Sequence, residues 1–324
     1  MEPSAEPVFE TRPVSSSRFA GFWRRIGALF IDGLVLGAIG FPVGLLLGDR
    51  FAPAGTPARL MGLLFVIPYL GLMGSEAGCG QTLGKRLLAL RVVDANGQPL
   101  PAGRAFLRAT VLSLPWIFNG IRFGSIGSVV LATLWVAGVL VFGAGGAIIG
   151  SYFLNRRTRQ AFHDLVVGSY VIEADGLGSR VPATSTRRPL AASAVWIGVV
   201  AAAATAMVTI LPNLMAREIP PVLMESIASI PGASSMEINR ITTWGGGRTS
   251  KAVVAVLWLR GPADGAQQAS REVAAAMLRL HPDAADAPTL AVTVIRGWDI
   301  GIASSTSAVN FVKTPAQWRA ELGM

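Results

Sequence analysis

Up to about residue 211 the chain alternates long apolar runs with short polar links, most of them arginine-bearing. The first run, Ile26–Gly48, spans 23 residues with Asp32 as its only charge. At about 1.5 Å per residue, a helix of that length crosses the roughly 30 Å hydrocarbon core of a bilayer. Runs at 59–75, 105–118, 125–151 and 190–211 predict four more spans. The run at 105–118 is short, so it either crosses or re-enters. Pro42 predicts a kink late in the first span. Gly33, Gly37, Gly40 and Gly44 repeat at three- and four-residue spacing. This puts small residues on one helix face, which a second helix can approach, within the chain or from a homo-oligomer or membrane protein partner.

The links carry a second pattern. Leu90–Val93 is β-branched and ends in the turn cluster Asp94-Ala95-Asn96-Gly97-Gln98-Pro99. Tyr170–Ile172 has the same texture. Both segments fall on one side of the proposed spans, so Arg91–Val93 and Tyr170–Ile172 are expected to pair as a small ribbon. Beyond residue 211 the periods mix. A helix is expected over 220–230, strands over 235–243 and 251–260, and a turn at Gly245-Gly246-Gly247. Ala266, Ala269, Val273, Ala276, Met277 and Leu280 share one helical face. Two more strands (290–295, 301–312) and a closing helix (315–322) follow. This order predicts an α+β domain over 212–324 with an antiparallel sheet. His281, next to Pro282, reads as a surface residue. The fold class is a polytopic α-helical membrane protein with about five transmembrane helices, a small cytoplasmic β-ribbon and a C-terminal α+β extramembrane domain. Residues 1–25 read as a disordered cytoplasmic tail, 26–173 as the membrane domain and 174–189 as a cytoplasmic linker.

Composition agrees: 52% of residues are hydrophobic and 15% charged, against roughly 25% charged in a soluble domain. The formal charge of +9 does not point to nucleic acid, because the basic residues collect beside apolar runs and no nucleic-acid motif accompanies them. Segments 1–25, 76–108 and 155–190 hold fifteen Lys and Arg, and the alternate links only Arg50, Arg59 and Arg122. That bias places the N-terminus in the cytoplasm and, after five spans, the C-terminal domain outside. The first run is too long for a signal peptide. A single cysteine, Cys79, excludes an intrachain disulfide.

Three local patterns then carry a resemblance: RRIGALFID (24–32), QTLGKRLLALRVVDANGQPLPAGRAFLR (81–108) and RRTRQAFHDLVVGSYVI (156–172). In order and texture they resemble the RDD family of bacterial membrane proteins, over about residues 18–173. The family takes its name from one arginine and two aspartates, which map to Arg25, Asp32 and Asp164. The resemblance implies a bacterial cytoplasmic (inner) membrane location. Some members are reported or proposed as cation–proton antiporters. The last span and the C-terminal domain lie outside it.

The cost of a carboxylate in a span, roughly 2.5–3.5 kcal/mol, makes Asp32 a paired or functional residue. Arg25 and Asp32 are two turns apart, about 10 Å along the axis, and Arg25 snorkels toward the interface. Asp32 is therefore expected to pair with Arg104 or Arg108, and Asp164 with Arg25 or Arg24, with His163 beside it. Two functions follow. In one, Asp32 takes and releases a proton as cations are exchanged across the lipid bilayer. In the other, the spans anchor an assembly or sensing factor whose outer domain binds a partner or envelope ligand. No nucleophile–base pair, metal-ligand spacing or nucleotide loop is found, so no enzyme, metal or cofactor is expected.

Overall fold

The computed structural model describes residues 19–52, 56–121, 128–174, 187–218, 220–245, 248–260, 265–281 and 283–324. Residues 1–18, Arg122, most of the linker and two of the turn glycines lie outside them. In chain order the elements are α1 (Phe22–Phe51), a 3₁₀ segment (Thr56–Gly62), α2 (Leu63–Gly74), α3 (Leu83–Leu87), β1 (Leu90–Val93) and α4 (Ala102–Phe118). Then come α5 (Ser128–Gly138), a π-helical segment (Val139–Ala144), α6 (Gly145–Leu154), α7 (Phe162–Val167), β2 (Tyr170–Glu173) and α8 (Arg187–Glu218). The C-terminal part holds α9 (Pro221–Ala228), β3 (Ala233–Gly245), β4 (Arg248–Leu259), α10 (Ala266–Leu280), β5 (Leu290–Asp299), β6 (Ser304–Lys313) and α11 (Pro315–Leu322).

Among the described residues, four stretches are long and apolar enough to cross a membrane: Phe22–Gly48, Pro57–Gly74, Leu131–Leu154 and Arg187–Ile210. Few of their residues are buried within the protein, as lipid-facing helices require. Helix α4, at the expected short span, has 17 residues and carries Arg104 and Arg108 in its first two turns. The chain packs as two compact units.

The first unit comprises Met1–Leu36, Leu63–Trp116 and Val139–Val200. Here β1 and β2 pair antiparallel, with Arg91 opposite Ile172, Val92 opposite Val171 and Val93 opposite Tyr170. Val92, Val93, Val171 and Ile172 are all buried. Phe19 forms a bridge with Ile172, and the Ala20 N–H donates to Val171 O (3.0 Å). Residues 19–25, expected within a disordered tail, are thus a third edge of the ribbon and the first turn of α1. Phe19 and Ala20 are buried, and that burial offsets the entropy of ordering them. The indole of Trp196 (α8) donates to Phe142 O (3.0 Å) in the π-helical segment and lies against Gly146, where any side chain would overlap it.

The second unit comprises Gly37–Gly62, Ile117–Gly138 and Ala201–Met324. Its sheet runs β3-β4-β5-β6. The outer pairs are antiparallel, but β4 and β5 are parallel. The expected all-antiparallel sheet is corrected: α10 is a helical crossover that returns the chain in the same direction. Along β4 burial alternates, with Val253, Ala255, Leu257 and Leu259 buried and Val254, Val256 and Trp258 only partly so. The buried set packs on Leu223 and Ile227 of α9, Val273 and Met277 of α10 and Trp318 of α11. All three helices therefore cover one face of the sheet. His281, expected at the surface, is 4% exposed at the end of α10, its Nδ1 accepting from Asp283 N–H (3.2 Å). Burial holds its pKa below the ordinary range.

The glycine face of α1 receives a loop rather than a helix. The β5–β6 connection, residues 300–303, with Trp298 and Asp299 at the end of β5 just before it, lies along it: Trp298 against Gly44 and Gly48, and Ile302 against Gly40. Any side chain at Gly44 or Gly48 would overlap the indole. Asp299 pairs with Arg59, whose Nε donates to Ile117 O (3.1 Å), and Ile300 is fully buried. Small residues permit close backbone approach whatever approaches.

Candidate functional site

The charged residues singled out in the sequence divide into two carboxylate sites, both in the first unit. The first centres on Asp164, which is fully buried. It occupies the first turn of α7, where its Oδ2 accepts from the Ala161 N–H (3.3 Å) that begins the helix. Gly168, with φ of 62°, ends α7 after six residues and lets Ser169 turn back, its hydroxyl donating to Asp164 Oδ1 (3.2 Å). Arg25 from α1 donates Nη1 to Oδ2 (2.9 Å), and Arg108 from α4 donates Nε to Oδ1 (2.9 Å) and brings Nη2 to 2.8 Å. One carboxylate thus holds two guanidinium groups from two helices. Arg25 also stacks over the Tyr152 ring (5.2 Å) on α6.

Burial by itself pushes the Asp164 carboxyl up, but Arg108 and Arg25 outweigh it and hold it well below the ordinary carboxylate range. His163 lies beside it, Nε2 3.5 Å from Oδ1. Burial, only partly opposed by Asp164, pushes this imidazole down to about 3, so it is neutral at physiological pH. Arg104 does not reach a carboxylate. Its Nε donates to Val167 O (2.9 Å) and Nη2 to Gly168 O (3.1 Å), capping the C-terminal carbonyls of α7. Arg24 pairs with Glu173 and donates to Leu88 O (2.6 Å) on the half-exposed rim of the ribbon.

The second site centres on Asp32, 1% exposed. Among the described residues no arginine binds it, so the expected pairing with Arg104 or Arg108 is corrected. Its partners are uncharged: Tyr69 hydroxyl to Oδ1 (2.8 Å), Thr82 hydroxyl to Oδ2 (2.6 Å) and Gly84 N–H to Oδ1 (2.8 Å). The reason is competition, since Asp164 already engages Arg108 and the α7 carbonyls engage Arg104. Thr82 also caps α3, accepting from Lys85 N–H (3.3 Å). Gly84 presses on α1 so closely that a methyl group there would overlap the Ala28 carbonyl. Asp32 therefore fastens α3 to the side of α1.

Tyr69, Thr82, Gly84 and Lys85 were not singled out in the sequence as partners. The signal was present in the Q-T-L-G-K stretch, a hydroxyl cap and a glycine beside an apolar run. Lys85 lies between the two sites, Nζ 3.3 Å from Thr82 Oγ1, with no carboxylate within ion-pair distance among the described residues. Burial, and then Arg108, push its amine down to about 8, against the pull of Asp32 and Asp164. Among the described residues, no group of three or more His, Cys, Asp or Glu side chains is placed to hold a metal ion.

Residues 19–168 match the family model of the RDD family. Over that stretch, just under half of its length, the chain is similar to this family. This match encloses both carboxylate sites and stops within the Gly168 turn before β2. The chain is similar to the uncharacterized protein YckC of Bacillus subtilis (strain 168), with 25% identity over 155 residues, covering 48% of this chain and 85% of that protein. It is similar also to the uncharacterized protein YxaI of the same strain, with 26% identity over 125 residues, covering 32% of this chain and 80% of that protein. No solved structure matches the chain. Within the matched stretch Arg25 and Asp164 meet directly, and Asp32 stands apart from them.

Proposed function

We propose that this chain is a membrane-anchored assembly or sensing factor. In this reading the RDD-like domain is the anchor, and the C-terminal domain, on the outer side of a bacterial cytoplasmic membrane, receives a partner or envelope ligand. The observation that supports it most is the seating of the Trp298–Ala303 segment on the glycine face of α1, locked by Asp299 and Arg59. A domain merely tethered by α8 needs no such seat. A seated domain presents its sheet in a fixed orientation at the membrane. The face not covered by helices carries the partly exposed Val254, Val256 and Ile295 and the exposed Val312. Uncovered apolar surface of that kind is characteristic of interaction sites. The test is photo-crosslinking in native membranes from a probe at Val256 in the full-length protein. A discrete adduct that disappears with Val254→Lys supports the reading. Absence of any adduct from probes across this face counts against it.

A second reading, cation–proton exchange through Asp32, is favoured by one observation. The carboxylate sits inside a span among exchangeable hydroxyl protons, those of Tyr69 and Thr82, with Lys85 adjoining. Reconstituted vesicles enclosing a pH-sensitive dye, challenged with sodium, potassium or lithium, test it. A cation-dependent pH change lost in Asp32→Asn supports exchange. The absence of flux in folded, inserted wild-type protein argues against it for those ions.

A further inference from the structure

A cavity of about 110 Å³ adjoins the Asp164 site within the first unit. Since about 10–15 Å³ of such space admits one water, this is room for several waters or a small oxyanion. Arg25, Lys85, Arg108 and His163 stand on its wall. The remaining lining is apolar, and it includes Ile26, Leu29 and Ile149. These three side chains are also exposed on the outer surface of α1 and α6, by 43%, 40% and 55%. Ile26 lies four residues into α1, and Ile149 five residues before the end of α6. The cavity is therefore lined mainly by apolar side chains that continue onto the outer surface of α1 and α6, with Arg25, Lys85, Arg108 and His163 among its lining residues.

The cations are not spent. Even counting Asp32, three positive side chains face two carboxylates here. Among the described residues, Lys85 Nζ has no ion-pair partner and Arg108 Nη1 donates to nothing. Excess positive charge, unused donors and an apolar flank together describe the receptor for an anionic headgroup carried on an acyl chain.

We infer that this cavity binds the phosphate of an acidic phospholipid, with Lys85 and Arg108 contacting the phosphate oxygens. The inference does not depend on either reading of function given above. Full-length protein in lipid-free neutral detergent is titrated with phosphatidylglycerol, phosphatidylcholine or inorganic phosphate while its melting temperature is followed. Phosphatidylglycerol raises that temperature saturably, and the other two do not. Lys85→Gln leaves Asp164 and its arginines in place, yet shifts half-saturation by about tenfold, the loss of one charge-assisted hydrogen bond. Leu112→Trp fills the cavity and abolishes the effect. Equal responses to the two phospholipids overturn the proposal, as does half-saturation unchanged in both variants. A response to inorganic phosphate equal to that of phosphatidylglycerol overturns the lipid as occupant and assigns the site to a soluble phosphate.

Discussion

Asp164→Asn keeps the shape of the side chain and removes its charge, leaving Arg25 and Arg108 facing a neutral amide in a site with no exposed carboxylate surface. Breaking a buried ion pair from one side costs about 3–5 kcal/mol, because the remaining charge stays desolvated and unpaired. Here two guanidinium groups lose one counter-ion, so the upper half of that range applies. By the scaling of soluble domains of this size, the loss corresponds to a fall in melting temperature of roughly 10 °C or more. The assay is thermal unfolding of full-length protein in detergent. Arg24→Gln serves as the control, since its pair with Glu173 is 42% and 36% exposed and such surface pairs contribute about 0–1 kcal/mol. A fall in Asp164→Asn no larger than that of the control would refute the clamp, and with it the view that α1, α4 and α7 are held through one carboxylate. The pH dependence follows from the direction of the shift. A carboxyl depressed below its unfolded value of about 3.9 gives stability that is fully present above that pH and is lost as pH falls through the folded value. The wild-type protein and the Asp164→Asn variant should therefore converge in strong acid.

His163 acts at a milder pH. Its folded value is about 3 and its unfolded value about 6.5, so the unfolded chain binds the extra proton as pH drops below 6.5 and stability falls by up to about 1.4 kcal/mol per pH unit. His163→Gln should flatten the stability profile between pH 6.5 and 5; an unchanged slope there would show that the imidazole already charges in the folded state. At the Asp32 site, Thr82→Val removes one of three donors from a buried carboxylate and should cost about 1–3 kcal/mol, read as the same thermal shift. Gly84→Ala should cost a similar amount, because the methyl overlaps Ala28 O and drives the Gly84 N–H off Asp32. Trp298→Ala removes a ring resting on Gly44 and Gly48, worth about 1.5–3 kcal/mol of apolar contact. It should release the C-terminal domain to limited proteolysis at the 300–303 loop, and equal cleavage rates in the two proteins would show that the seat does not hold the domain.

Much of this arrangement was legible in the chain. The ribbon pairing was readable because its two strands are short, rich in β-branched residues and bounded by turn residues; its antiparallel register came from the structure. The long spans were readable because their apolar length exceeds anything a soluble core needs. Pairings were less legible. An Asp164 pair with Arg25 or Arg24 was expected, and only the packing gave it Arg25 and sent Arg24 to Glu173. That Arg108 goes to Asp164 and not to Asp32 was decided only by the packing of α4 and α7. The parallel β4–β5 pair was missed because alternation along a strand carries no direction; the crossover through α10 sets it.

By itself, then, the sequence determined what each segment must bury: apolar runs long enough for a bilayer, a two-residue period for the ribbon and the sheet, arginines gathered on one set of links, and one aspartate, Asp32, too costly to stand alone inside a span. Those are properties of local composition, and each follows from transfer free energies read along the chain. Only the tertiary structure decided the partners. It gave Asp164 two arginines and Asp32 two hydroxyls and a backbone N–H, and laid a tryptophan loop on the glycine face of α1. A charge or a small face can be satisfied by any of several groups of suitable chemistry, and which one it meets depends on packing between residues distant in the chain, from Asp32 and Tyr69, 37 positions apart, to Arg25 and Asp164, 139 apart.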